Sequence, residues 1–388
     1  MPRSKGILDR LSLRLSPPVR LKRCHPSASF HKQVPSEMHP ESFVENSPLP
    51  TAVVHSAVFT NHDTGMGHPE SPLRYTVVVN ALKKTELHRR VLWLDPREAD
   101  ESEIARCHTE SYIEIAKHDI QSGHQYLSTG DTAVSRWSWK PALNAVGGTF
   151  TAVDALMDGR AKNAFCITRP PGHHATPNRG MGFCVFNNIA AAARYAQRHH
   201  GIGKVLIVDW DVHHGNGTQD VFYEDDSVLF FSTHQWPWYP GSGARDETGH
   251  GRGLGTTMNR PFPAGVGRKE IVGVFSDEMR AAAQRFKPEL VLVSAGFDSR
   301  HGDPLGHFQL DDEDFADLTR IMLETADQFA GGRLVSVLEG GYNLEGLAMA
   351  CKAHCRTLAE HGGLPPAFDS PPSLQSQIPP SGFDEFEW

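Results

Sequence analysis

The sequence predicts an α/β protein: a single domain with a mostly parallel central sheet flanked by helices. Three observations lead there. Runs such as VLIVDWD (205–211) and LVLVSAG (290–296) are apolar on both faces, as strands buried inside a parallel sheet must be. These runs alternate with helical stretches, and strand–helix–strand order calls for right-handed crossovers. The chain has 388 residues, 39% of them hydrophobic, which is enough apolar mass for a large core.

Taken in order, short β-branched and aromatic runs place strands at 52–59, 91–94, 164–168, 205–211, 228–234, 290–297 and 334–338. Between them, longer stretches read as helices at 73–85, 111–118, 139–157, 187–199, 271–285, 312–329 and 344–360, with a short helix near 217–223. The domain is assigned to residues 51–362. Residues 1–50 mix Pro, Ser, Arg and His without a sustained period and read as a basic, disordered leader. Residues 363–388 are Pro/Ser-rich, then acidic and aromatic, and read as an extended strap or frayed tail.

Charge narrows the function. The net charge is −8, but residues 1–40 hold eight Lys/Arg against two acids, so the other 348 residues carry −14. The body of the protein is therefore a poor nucleic-acid binder. No apolar run approaches the roughly 18 residues of a spanning helix. None of the six cysteines forms a C-x-x-C pair, so neither a disulfide framework nor a Cys-based zinc site is indicated. A reducing, cytoplasmic setting is the default. The Arg-rich, acid-poor stretch 7–23 offers an organellar transit peptide as the alternative.

Polar residues crowd the carboxyl ends of four strands, where open α/β sheets form their sites. After 164–168 comes Arg169-Pro170-Pro171-Gly172-His173-His174, a stiff loop from which two adjacent His protrude. After 205–208 come Asp209, Asp211 and His213, which alternate onto one side of an extended chain. Two carboxylates and an imidazole ending an apolar strand are costly unless a cation compensates them, and an Asp/His set suits zinc or another first-row divalent ion. Capping of the following helix would explain one acid, not all three polar residues. Asp298, at the tip of the 290–297 run, supplies a third ligand and leaves one coordination position open, although alone it would read as a helix cap. Glu339-Gly340-Gly341-Tyr342 follows the last strand and sets a Tyr hydroxyl at the rim, where it can donate to a developing oxyanion.

The motifs RPPGHHA (169–175), GFCVFNN (182–188), DWDVHHGNGTQ (209–219), HQWPWYPGSG (234–243), SAGFDSRHGDPLG (294–306) and EGGY (339–342) together resemble the arginase–deacetylase superfamily. More narrowly they are similar to zinc-dependent histone deacetylases and bacterial amidohydrolases, over roughly residues 52–360. The resemblance implies the arginase/deacetylase fold and one zinc ion held by Asp211, His213 and Asp298. It implies that His173 and His174 form the acid/base pair, with Asp209 orienting His173 and Asn216 partnering His174. Asn rather than Asp at 216 points to the class II-like or bacterial branch and should leave His174 the less basic of the two. Tyr342 would bind the carbonyl oxygen. Gly182, Phe183, Tyr239, Leu305 and Asp131 would line the substrate tunnel. Potassium would bind at Asp209, Asp211, His213, Ser232 and Thr233, with a second monovalent site near Phe222, Asp225 and Val228.

The implied reaction is hydrolysis of an N-acyl amide by a zinc-bound water, acting on Nε-acyl-lysine in proteins. Acetylpolyamine hydrolysis is the alternative; Leu305 stands where one polyamine-selective branch carries Glu. A binuclear manganese ureohydrolase fits less well, and Asp303, flanked by Gly302 and Pro304, reads as a turn rather than a further ligand. A non-catalytic acyl-lysine-binding protein would lack one of the ligands, the His pair or the Tyr, and all are present. Trp236 and Trp238, beside Tyr239, are either packed aromatics or a substrate-facing rim. A homo-oligomer is compatible with the sequence.

Overall fold

The computed structural model describes residues 48–365, 367 and 368. The leader to residue 47, with the transit-like stretch 7–23, and most of the tail lie outside the described residues.

Eight strands form one sheet: β1 (Thr51–Val54), β2 (Val91–Leu94), β3 (Asn163–Cys166), β4 (Val205–Asp209), β5 (Val228–Gln235), β6 (Thr257–Phe262), β7 (Leu290–Ala295) and β8 (Leu334–Leu338). Every pairing is parallel, in the order β2-β1-β3-β8-β7-β4-β5-β6. Ten α-helices accompany them: α1 (Pro72–Lys83), α2 (Glu101–Ile104), α3 (Glu110–Gln121), α4 (Trp139–Met157), α5 (Asn188–His200), α6 (Asn216–Phe222), α7 (Arg268–Val274), α8 (Arg280–Phe286), α9 (Asp312–Phe329) and α10 (Leu344–Glu360).

The doubly apolar strands have a direct explanation. Val291 and Val293 join the core beneath α9 and α10, whereas Leu290 and Leu292 join a second core beneath α4 and α5. Val208 and Ile207 on β4 divide in the same way. Successive side chains leave a strand on opposite faces, so a sheet covered on both sides needs apolar residues at every position.

The strand order sets the position of the site. From β4 the chain moves outward to β5 and β6, while from β7 it moves inward to β8. Neighbours β4 and β7 thus send their following segments opposite ways, and the crevice between them at their carboxyl ends is the topological switch point of this sheet.

Several details depart from the sequence expectation, among them the unforeseen α2. The first strand stops at Val54; Ser56 then caps a 3-10 turn over Ala57–Asn61, accepting from Val58 N. The run 205–211 ends as a strand at Asp209, so the strict alternation expected of Asp209, Asp211 and His213 does not continue past it. The single helix expected at 271–285 is divided between α7 and α8 by a π-helical turn, Phe275–Met279. β6 was not anticipated at all. Its sequence TMNRPF carries polar residues and a Pro, which an edge strand with one partner tolerates. At the start of the tail, Phe368 N donates to Arg89 O at 2.8 Å, and Arg90 donates to Pro365 O at 3.0 Å.

Candidate active site

The loops after β3, β4, β7 and β8, four neighbouring strands, converge on one point. Potential ligand atoms of Asp211, His213 and Asp298 lie within 4.8 Å of one another, and all three residues are buried. His213 Nδ1 is 3.0 Å from Asp211 Oδ1 and 3.1 Å from Asp298 Oδ2. Each carboxylate is also aimed by backbone. Asp298 Oδ1 accepts from Val212 N at 2.8 Å, and Asp211 Oδ2 accepts from Gly340 N at 2.8 Å. Position 340 must be Gly, because a Cβ there would lie 2.0 Å from Asp298 Oδ2.

Asp209 stands apart from this trio. Its Oδ2 lies 2.9 Å from His173 Nδ1, while His174 Nδ1 lies 2.8 Å from Asn216 Oδ1. The two imidazole rings sit 4.0 Å apart, and His173 Nε2 is 3.8 Å from Asp211 Oδ2. The partners split the pair. Burial would lower His173, but the carboxylates of Asp209 and Asp211 outweigh it and push it up to about 10. His174 is held well below the ordinary range by burial and by the neighbouring His173 charge. His213 is likewise raised to about 10, its burial overcome by Asp211 and Asp298. Asp298 is pushed up to about 7 by burial and by Asp211.

The donor set fits a divalent cation. Two carboxylates face one imidazole nitrogen at 3.0 and 3.1 Å, a donor set of the kind that holds zinc. For a monovalent ion, β4 and β5 bring Asp209 and Ser232 into register. Thr233 Oγ1 is a buried oxygen without a hydrogen-bond partner among the described residues, and Ser232 Oγ meets His234 Nδ1 at 3.0 Å. Oxygen donors of this kind suit a hard cation. Near the second candidate position, Asp225 pairs with Arg194 at 2.6 Å.

Two of the residues expected to line a tunnel, Gly182 and Tyr239, meet at Asp131. Its Oδ1 accepts from Gly182 N at 2.8 Å, and its Oδ2 accepts from the Tyr239 hydroxyl at 3.1 Å. Gly182 has φ 57°, and Phe183 adopts φ 68°, an uncommon backbone state for a bulky residue. The Tyr239 ring lies edge-on to His174 at 5.2 Å, and Phe183 lies edge-on to Tyr342 at 5.8 Å. Leu305 O accepts from the Trp238 indole at 2.9 Å, which places Trp238, still 39% exposed, at this rim. Arg74 lies over the Tyr342 ring at 4.9 Å. Asp303 is no ligand: it accepts from the N–H groups of Leu305, Tyr342 and Asn343 at 2.9, 2.7 and 3.1 Å, holding the last loop to the turn before it.

Sequence reasoning gave no role to four buried charged residues, Glu70, Arg74, Arg169 and Glu339. Glu70 is flanked by Arg74 at 3.0 Å and by Arg169 at 2.5 Å, and all three are fully buried. Arg74 continues to Gly341 O at 2.7 Å and to Glu339 O. The Glu339 side chain, also fully buried, turns back to the tandem-His loop. Glu339 could have been found by the signal that revealed Asp209, an acid closing an apolar strand. Glu70 and Arg74 sit in no such pattern.

Comparison with known proteins agrees with this geometry. Residues 68–358 match the profile of the histone deacetylase domain. The chain is 41% identical to "Histone deacetylase 10, chloroplastic" of Oryza sativa subsp. japonica, covering 80% of this chain and 74% of that protein. It is 40% identical to "Polyamine deacetylase HDAC10" of Homo sapiens over 74% of this chain but only 44% of that longer protein. The crystal structure of the HDA15 HD domain superposes with a TM-score of 0.76 at 36% identity, covering 80% of this chain and 91% of that one.

Proposed function

We propose, from the premise that this chain belongs to the histone deacetylase family, that it is a zinc-dependent amide hydrolase removing acetyl groups from Nε-acetyl-lysine in proteins. A hydrolase acting on amides is what family membership establishes. The lysine substrate, the zinc and the residue roles are our reading. The observation that carries it is the Asp211–His213–Asp298 cluster beside two oppositely biased imidazoles. We assign the catalytic domain to residues 51–362.

Asp211, His213 and Asp298 would hold the zinc, which when bound supplies a Lewis acid at the substrate carbonyl and acidifies water. The protein's own groups do the rest. In neutral His174, Nδ1–H donates to Asn216 Oδ1, which leaves Nε2 bare to accept the proton of the attacking water. The same nitrogen can then return that proton to the departing amine. His173 keeps its charge against Asp209 and favours the negative charge that develops nearby. The Tyr342 hydroxyl donates to the oxyanion. The wall formed by Gly182, Phe183, Tyr239 and Leu305 accepts a neutral acylated stem more readily than a charged free amine. Potassium bound through Asp209, Asp211, His213, Ser232 and Thr233 would steady the β4 and β5 ends.

Acetylpolyamine hydrolysis is the second reading, favoured by the name of the human relative. Metal-free and zinc-restored enzyme, assayed on acetyl-lysine peptides and acetylpolyamines, decides between them. Zinc-dependent turnover with higher kcat/KM on peptides supports the first reading, and the reverse preference replaces it. Two relatives named as chloroplastic favour the organellar alternative for location over the cytoplasmic one. Import of the full chain into isolated plastids is the test.

A further inference from the structure

Glu339 takes no part in the chemistry above, yet its carboxylate is fully buried beneath it. One oxygen, Oε2, accepts from Gly172 N at 2.6 Å and from His173 N at 3.1 Å. The other, Oε1, faces Ser294 Oγ at 3.4 Å. The two N–H groups belong to the loop that carries the His pair. Among the described residues no other acceptor is recorded for them, so without Glu339 two buried donors lose their partner. The neighbouring residues of the same turn bind other parts of the site: Gly340 N holds Asp211, and Tyr342 N holds Asp303. Four consecutive residues therefore index the His loop, a ligand carboxylate and the Tyr against one another. Arg74 pins this turn from behind, through Glu339 O and Gly341 O.

We infer that Glu339 is a positioning residue for His173, holding the tandem-His loop at the distance from Asp209 and Asp211 that turnover requires. The inference rests on the proposed roles of the two imidazoles. It assigns Glu339 no contact with substrate, and it assigns the function to the acceptor oxygen at its particular reach. A displacement of about 1 Å in such a loop can cost on the order of 10²-fold in rate.

Three variants separate reach, acceptor and bulk. Glu339→Gln keeps an acceptor oxygen at the same reach. Glu339→Met keeps the length without the acceptor. Glu339→Asp keeps the carboxylate but withdraws it by one methylene, and it serves if the Met variant does not fold. Each is measured as zinc-loaded enzyme with zinc content determined. The expected result is kcat within about threefold of the parent for Gln and a fall of about tenfold to 10²-fold for Asp and Met. KM should change less than about twofold, with one zinc per chain throughout. The same substitutions in a His173→Ala background should have a smaller further effect on kcat, since one of the two imidazoles on the loop is gone. An equal loss in both backgrounds, or a loss confined to KM or to zinc content, overturns the inference. Full activity of His173→Ala alone would instead overturn the proposed role of His173, a separate failure.

Discussion

Two clusters of buried charge lie at the same end of the sheet, and they are built on opposite terms. Around Glu70, one carboxylate meets Arg74 and Arg169, and the spare guanidinium donors go to backbone carbonyls such as Phe59 O and Gly341 O. Around His213, the carboxylates of Asp209, Asp211 and Asp298 outnumber the imidazoles that can offset them, and Asp298 is driven up to about 7. Burial would raise Glu70 as well, but Arg169 and Arg74 overcome it and hold it at about 2. A buried cluster whose one carboxylate is held by two guanidiniums, with their spare donors taken by backbone carbonyls, serves as a fixed joint. One with surplus negative charge is arranged for a cation.

The contrast can be broken from either side. The largest effect is expected at Asp298→Asn, which removes one anion from the surplus: zinc binding should fall and activity drop to background, measured by metal analysis and turnover. A variant that keeps one tightly held zinc would refute the ligand assignment. Next is Glu70→Ala, which leaves two buried guanidinium groups unpaired. It should lose about 3–5 kcal/mol of folding stability, read by urea denaturation, while zinc stoichiometry in the protein that remains folded is preserved. Tyr342→Phe should lower kcat by about 10²- to 10³-fold without loss of stability; unchanged turnover removes the Tyr from the oxyanion role.

The smallest effect concerns a third arrangement. His354 is buried between Thr319 Oγ1 and Ser336 Oγ, each at 2.7 Å, with its pKa lowered to about 3 by burial alone. Its contribution is complete above the unfolded value of 6.5 and is lost as pH falls from there toward 3. The slope is about 1.4 kcal/mol per pH unit. Replacing it in His354→Gln should flatten the acid limb of a stability-versus-pH curve by that amount. An unchanged limb would mean the imidazole takes up its proton in the folded chain as readily as in the unfolded one.

Legibility from sequence followed the same division. β4 and β7 were plain because burial on both faces leaves a continuous apolar run, and the acids ending those runs stood out against it. β6 was hidden because an edge strand is free of that demand. The convergence of Asp211, His213 and Asp298 was anticipated, but the extended-chain argument offered for Asp211 and His213 does not hold beyond Asp209. The residues meet because the chain bends there and backbone N–H groups of Val212 and Gly340 turn the carboxylates inward. Glu70 and Arg74 escaped notice because an i,i+4 acid–base pair is common on solvent-facing helices, and their other partners lie about a hundred or more residues away, where spacing carries no trace.

The strand order has a practical consequence. Every proposed reacting group hangs from β3, β8, β7 or β4, a contiguous block in the middle of the sheet. The outermost strands, β2 and β6, contribute none. Those margins are the places where a tag, a binding peptide or a rebuilt edge can be grafted with the chemistry left alone, and where related chains are free to diverge.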